Sequence, residues 1–234
     1  MTPFLINSQE LENKPLQYNW FDEIIGKSNS GIYIGIQYVE HYRTLNENHK
    51  FFINPNFSIG SVVYSDQPYY NLELKYDVFE DQLLLRNSDQ PILPTIVLEK
   101  SKISSFDIEG HNFINFPNNQ EDEEAPIGFV ETIVSNDSIT CYQKHQKQLR
   151  TRLNDKIRYF EFKNKNSFYI YYKGEYYQIN PKSSMTSIFP DYKIEIKALE
   201  SQYKNIKKED QVSYLKSVLD ELFKLMSQTN SKSP

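Results

Sequence analysis

The amino-acid sequence predicts an α+β fold: a mainly antiparallel β domain, arranged as a meander, with a C-terminal helical hairpin packed on it. Three observations lead there. Residues 72–79 alternate, with Leu72, Leu74, Tyr76 and Val78 on one face and Glu73, Lys75, Asp77 and Phe79 on the other, the period of a half-buried strand. Aromatics make up 15% of the 234 residues, with 18 Tyr and 15 Phe against only 7 Gly, a balance that suits pleated sheets and disfavours glycine-dependent phosphate loops. From about Ser183 the alternation stops and apolar residues recur at helical spacing.

Taken in order, residues 1–30 read as an N-terminal arm that docks through Trp20, Phe21, Ile24 and Ile25. The antiparallel β domain spans 31–182. GIYIGIQYVEHY at 31–42 has the content of a strand or strand pair, and NENHKFFINPNF at 46–57 reads as a loop with an aromatic anchor, where Pro55 discourages a helix. SVVY is a short strand, SDQP a turn suited to Asp66 and Pro68, and the alternating strand follows; FEDQ turns the chain into LLLR. Further strands are expected in TIVLEK, KISSFDI and HNFINF, with Gly110 at the tight turn between the last two. GFVETIVS and SITCYQKH form a hairpin around Asn136 and Asp137; RYFEFKNK, SFYIYYKG and EYYQINPK close the meander, with Lys173 and Gly174 at a hairpin tip.

Helices occupy 183–228. Tyr192, Ile196, Leu199 and Tyr203 form one apolar stripe, and Val212, Leu215, Leu219, Leu222 and Met226 a second. NIKKED interrupts them, which predicts two antiparallel helices joined by a short turn and buried against the sheet. The tail at 229–234 belongs to SQTNSKSP, which has no apolar residue and is expected to be disordered.

The net charge of -5 gives no general attraction for nucleic acid. KHQKQLRTRLNDK at 144–156 is a local basic exception, expected as a solvated arm leaving a strand, and QEDEEAP at 120–126 as a solvent loop. Cys141 is alone, so it forms no intrachain disulfide and reads as a small buried hydrophobe. His41, His49, His111 and His145 are scattered without metal-site spacing, and HExxH, a calcium loop, a P-loop, GxGxxG and GxSxG are all missing; no metal or cofactor is expected. No apolar run reaches the ~20 residues of a membrane span, so any membrane association would go through a partner. MTPFLINSQELENKPL shows no signal-peptide pattern, which fits a cytoplasmic protein or an exported one whose leader has been removed.

Two sets of residues are candidates for function. Asp77 and Asp81 could form a carboxylate pair at a strand end, acting as acid and base or holding a cation. Their structural reading makes Asp77 an outward-facing strand residue and Asp81 a turn former. The adjacent pairs Tyr69-Tyr70, Tyr171-Tyr172 and Tyr176-Tyr177 send one ring to each side of a sheet, and Tyr70, Tyr171 and Tyr177 are the candidate binding rings.

Several phrases together resemble a widespread group of uncharacterised β-rich exported envelope proteins of Bacteroidota. They are FFINPNFSIGSVVYSDQPYYNLELKYDVFEDQLLL, ISSFDIEGHNFINF, GFVETIVS and GEYYQINPKSSMTSIFPDYKIEIKAL, which cover most of 31–200. Gly60, Tyr64, Tyr70, Leu74, Lys75, Tyr76, Asp77 and Asp81 are their most specific part. The resemblance implies a periplasmic or outer-membrane-associated protein and no assigned reaction. The expected function is therefore a non-enzymatic binding or scaffolding protein that meets a protein partner in the envelope. The alternatives are an envelope polysaccharide hydrolase using the carboxylate pair, and a small-ligand carrier with a β-cavity.

Overall fold

In the computed structural model, residues 31–44, 48–87, 92–117, 123–154 and 157–230 are described. The N-terminal arm expected at 1–30 and the last four residues lie outside them. The strands in chain order are β1 (Ile36–Gln37), β2 (Ser58–Tyr64), β3 (Gln67–Asp77), β4 (Gln82–Arg86), β5 (Ile96–Val97), β6 (Ile103–Ile108), β7 (His111–Phe116), β8 (Gly128–Ser135), β9 (Ile139–Lys144), β10 (Lys147–Asn154), β11 (Ile157–Asn164), β12 (Ser167–Tyr172) and β13 (Glu175–Ile179). The helices are α1 (Lys193–Gln202), α2 (Lys204–Glu209) and α3 (Gln211–Asn230). The class is α+β: mostly antiparallel sheet, with a C-terminal helical segment packed on it. The chain divides into two compact units, one of residues up to 112 with 148–163, the other of 113–147 with 164 onward.

In the first unit the strand order is β1-β5-β4-β3-β2-β6, every neighbour antiparallel. The alternation of β3 builds its core: Leu72, Leu74, Tyr76 and Val78 are all buried, as the spacing predicts. Leu74 pairs with Leu85 and Tyr76 with Leu83, so the apolar sides of β3 and β4 coincide. Tyr76 meets the Phe106 ring edge-on at 5.4 Å. Gly60 is required by space, because a Cβ there would run into the Asp107 carbonyl on the neighbouring strand.

The other face of β3 differs from the expectation. Asp77 is not outward-facing; it is wholly buried. The cause is a strap, residues 48–53, which runs antiparallel alongside the end of β3: Phe52 N donates to Tyr76 O at 2.9 Å and Val78 N to Lys50 O at 3.1 Å. Phe51, the expected anchor, sits opposite Asp77 in an isolated bridge. The 31–42 segment is also less regular than its composition suggests. It holds a 3-10 turn at Gly31–Tyr33 and the two-residue β1, and from the rest Tyr38, Glu40 and Tyr42 reach Lys50 of the strap. The basic segment leaves β9 as expected and forms β10 of the two-stranded β10-β11 ribbon, with Arg150 and Arg152 exposed and Lys144 at its start buried.

In the second unit the order is β7-β8-β9-β12-β13, again antiparallel. The β12-β13 hairpin turns at Lys173 and Gly174 with φ of 51° and 89°, the two positive values of a primed turn whose twist matches the strands. Asn136 closes the β8-β9 hairpin, its Oδ1 accepting from Ser138 N and Ile139 N.

The helical stripes bury against one side of this sheet. Ile196 and Leu199 of α1, with Tyr214, Leu215, Val218, Leu219, Leu222 and Met226 of α3, join Ile133, Ile139, Cys141, Phe168, Ile170 and Tyr172 in one cluster. The expected hairpin is in fact three helices among the described residues. The chain breaks at Tyr203, and NIKKED, expected as a turn, supplies the short α2, which buries nothing. Asp210 then leaves the helical region and caps α3, accepting from Val212 N at 2.9 Å and Ser213 N at 3.1 Å. The helix runs on to Asn230, so the first residues of the expected tail are helical. None of the described helices is long and apolar enough to cross a membrane, which says nothing of strands.

Two tests follow from this packing. Leu222→Asp puts a charge into the helix-sheet cluster and is expected to destabilise the fold by about 3–5 kcal/mol or more; an unchanged thermal melt would contradict the packing. The Asp210 carboxyl is held below its ordinary range, chiefly by its bonds from Ser213. Its contribution is therefore complete above the unfolded carboxylate value and lost as pH falls through the lower folded one. Asp210→Ala should cost about 1 kcal/mol near neutral pH, and denaturant melts should show the gap closing in acid.

Candidate functional site

The first unit holds the densest group of charged and aromatic side chains. Lys50 points from the strap to Asp77, with Nζ 2.8 Å from Oδ2, and lies 3.2 Å from Glu40 Oε1. The Lys50 and Asp77 side chains are 3% and 0% exposed, while Glu40 keeps 41%, so the pair is internal and Glu40 stands at its rim. Rings surround the ammonium: Tyr38 at 5.2 Å, Tyr42 at 5.0 Å and Phe51 at 5.5 Å. Tyr42 in turn packs edge-on against Phe79, Phe160 and Phe162. Tyr38 Oη donates to Glu40 Oε2 at 2.5 Å and Tyr42 N to Oε1 at 2.9 Å.

Burial is the largest influence on each member of this group. It pushes the Asp77 carboxyl up, and the contact with Lys50 only partly offsets it. Burial alone would lower Lys50, but the bonds to Asp77 and Tyr38 prevail and raise it. Both values therefore move up. Burial also acts to raise Glu40, yet the bonds from Tyr38, Tyr42 and Lys50 bring it below its ordinary value.

Asp77 and Asp81 flank one turn. Asp77 Oδ1 accepts from Phe79 N and Glu80 N, both at 3.1 Å, which folds the chain back on itself. Asp81 sits in the left-handed region at φ 54°, a turn position as its residue type suggests. Its oxygens are taken separately: Tyr76 Oη donates to Oδ1 at 2.6 Å and Lys100 Nζ to Oδ2 at 2.5 Å. Each carboxylate therefore has its own cation, Lys50 or Lys100, and its own turn or tyrosine contact.

The candidate tyrosines are dispersed. Tyr70 is half-buried in β3 of the first unit. Tyr171 and Tyr177 share the second unit's sheet but on opposite faces. Tyr177 pairs with Ile170, packs against the helix-side cluster and donates to Glu175 at 2.6 Å. Tyr171 pairs with Tyr176 on the other face, where their centroids are 4.7 Å apart. That stack continues through Tyr142 and Phe116, with Tyr176 5.8 Å from Phe116 and Phe116 5.3 Å from Tyr142. Tyr171 remains 37% exposed.

Beside this stack runs a groove of about 710 Å³, lined by β13 from Glu175 to Ile179 and by Ser184, Met185 and Ile188. A second hollow of about 570 Å³ lies at the hairpin tip, between Tyr171, Lys173, Asp191 and Met226. Cys141 is buried under the helices, and burial pushes its thiol up to about 12, far from a reactive thiolate. Among the described residues no three His, Cys, Asp or Glu side chains come together as a metal site.

Comparisons with protein-family models, with curated proteins and with solved structures find no match for this chain. Sequence reasoning missed Lys50 and Glu40 because each looks like an ordinary surface charge. The one available signal was Lys50 directly before the Phe51 and Phe52 anchor, where a charge must either reach solvent or find a partner. Tyr76→Phe, which deletes the buried hydroxyl that serves Asp81, should cost about 1–3 kcal/mol. Urea unfolding measures it, and an unmoved midpoint would show that this bond does not hold the turn.

Proposed function

We propose that this chain is a non-enzymatic binding protein of the cell envelope, which takes up an extended segment of a protein partner alongside β13. The observation that carries the reading is the groove along β13, the last strand in its sheet order among the described residues. A strand at the end of a sheet offers backbone donors and acceptors on its outer side, and a peptide adding there gains main-chain bonds at strand spacing. The Tyr171–Tyr176 stack stands beside the same edge and would give side-chain selectivity.

The partners of the acids favour binding over the hydrolase alternative. Asp77 spends its oxygens on two turn amides and Lys50, and Asp81 on Tyr76 and Lys100. A working pair needs one acid free to protonate and another free to attack or activate water. The envelope setting rests on the sequence resemblance, and contact with a membrane would come through the partner.

A photo-reactive side chain placed at the exposed Gln178 of β13 tests the proposal against the same group at Glu195 on α1. In envelope extracts, position 178 is expected to give discrete protein adducts and position 195 none. Equal labelling at both positions, or none at 178, would reject the β13 edge as the binding surface.

A further inference from the structure

We propose that Lys50 and Asp77 become joined by an intramolecular amide bond, formed by the protein itself, with Glu40 as the proton carrier. The inference is independent of the binding function and rests on the geometry of the first unit alone. An amine and a carboxyl condense when they are held in contact, kept dry, and given a group that moves protons. All three conditions are met at one place.

Contact comes first. Lys50 Nζ is 2.8 Å from Asp77 Oδ2, and the strap carrying Lys50 is tied alongside the end of β3 by backbone bonds on both sides of Phe51. Two groups fixed in this way react as if at very high concentration, because the entropy of bringing them together has been spent in folding. Dryness comes second. The two side chains are all but sealed from solvent, and the Tyr38, Tyr42 and Phe51 rings close around the nitrogen. In such surroundings a charged pair loses much of its advantage over the neutral amine and acid. Burial raises the Asp77 carboxyl in the direction this exchange requires. The Lys50 shift runs the other way, as its contacts hold the proton on nitrogen, so the neutral pair is the minor form from which reaction proceeds.

Proton movement comes third. Glu40 Oε1 is 3.2 Å from the same nitrogen, and Glu40 is itself oriented by Tyr38 and by the Tyr42 amide. Lys50 first passes one proton to Asp77, leaving a neutral amine beside a carboxylic acid. Nζ then attacks Asp77 Cγ, forming the N–C bond. Glu40 takes the proton released by nitrogen and returns it to the leaving hydroxyl; the C–O bond breaks and one water departs. An amine and an acid have become an amide and water, with no oxidant, reductant or cofactor consumed. Lys75, Glu80 and Arg86 are the other charged groups near these atoms. Glu73 holds Arg86, and Lys75 lies over Phe51 at 4.1 Å, so neither cation displaces Lys50 from Asp77.

Intact-mass measurement of the unfolded full chain decides the matter. The wild-type protein should weigh one water less than its sequence, and a tryptic digest should contain a branched peptide joining Lys50 to Asp77. Lys50→Arg should weigh its full sequence mass, and Glu40→Gln should show little or slow loss of water while its circular dichroism stays that of the wild type. A wild-type chain at full sequence mass after prolonged incubation overturns the proposal. So does a water loss that persists in Lys50→Arg, which would place the dehydration elsewhere. Should Lys50→Arg fold poorly, the wild-type mass and the branched peptide still settle the outcome.

Discussion

A carboxylate removed from water must meet a positive charge or give up its own, and the meeting of Asp77 with Lys50 organises the first unit around that requirement. Asp77 lies at the end of β3, the strand whose Leu72, Leu74 and Tyr76 build the apolar core. Leaving it open to solvent would have left that face of β3 bare. Instead the strap pairs antiparallel alongside that end of β3, which sets Phe51 opposite Asp77 and brings the Lys50 ammonium to its carboxylate. The rings of Tyr38, Tyr42 and Phe51 then surround the cation, and Tyr42 extends the layer to Phe79, Phe160 and Phe162.

The helix-sheet cluster of the second unit is built without charge, although elsewhere the unit buries Glu131 against His145 at 2.7 Å and Lys144 on the Phe129 carbonyl. Cys141, Ile170 and Tyr172 present an apolar surface, and the stripes of α1 and α3 bury against it. The helices cover only one face. The opposite face keeps its rings in a row through Phe116, Tyr142, Tyr176 and Tyr171, satisfied by one another at edge-to-face distances and not by a helix. The same strands therefore serve two ends: one side holds the unit together, and the other carries aromatic rings near β13, the last strand of the sheet among the described residues.

What was legible in the sequence was what depends on neighbours along the chain. The β3 core, the hairpin turns at Asn136 and at Lys173-Gly174, and the two helical stripes all follow from local periodicity and turn chemistry. The burial of Asp77 was not legible, since it depends on a strap from 27 residues earlier choosing that face. Parity correctly separates Tyr171 from Tyr172 and Tyr176 from Tyr177, but it cannot say which side the helices take. Tyr177 falls on the covered side because register pairs it with Ile170. The break at Tyr203 escaped notice because an apolar stripe reports which residues face inward and not whether one helix or two carries them. The 31–42 segment was overread because β-branched and aromatic residues also suit an irregular stretch that contributes side chains such as Tyr38 and Tyr42 and not a long ladder.

The ionic layer also bears on uniqueness of fold. A well-packed apolar pair of the same volume would stabilise as well as a buried ion pair or better, so stability alone is a weak reason for Lys50 and Asp77. Register is a stronger one. Phe51 faces Asp77 in a single bridge, with one backbone bond on either side, and so short a pairing could slide by a residue with little loss of main-chain bonding. A slip would carry Lys50 away from Asp77 and leave both charges buried and alone, a cost of several kcal/mol that no apolar pairing would impose. The charges fix one alignment of strap on strand by making every other alignment expensive. That same alignment brings the amine, the two carboxyls and the surrounding rings into contact.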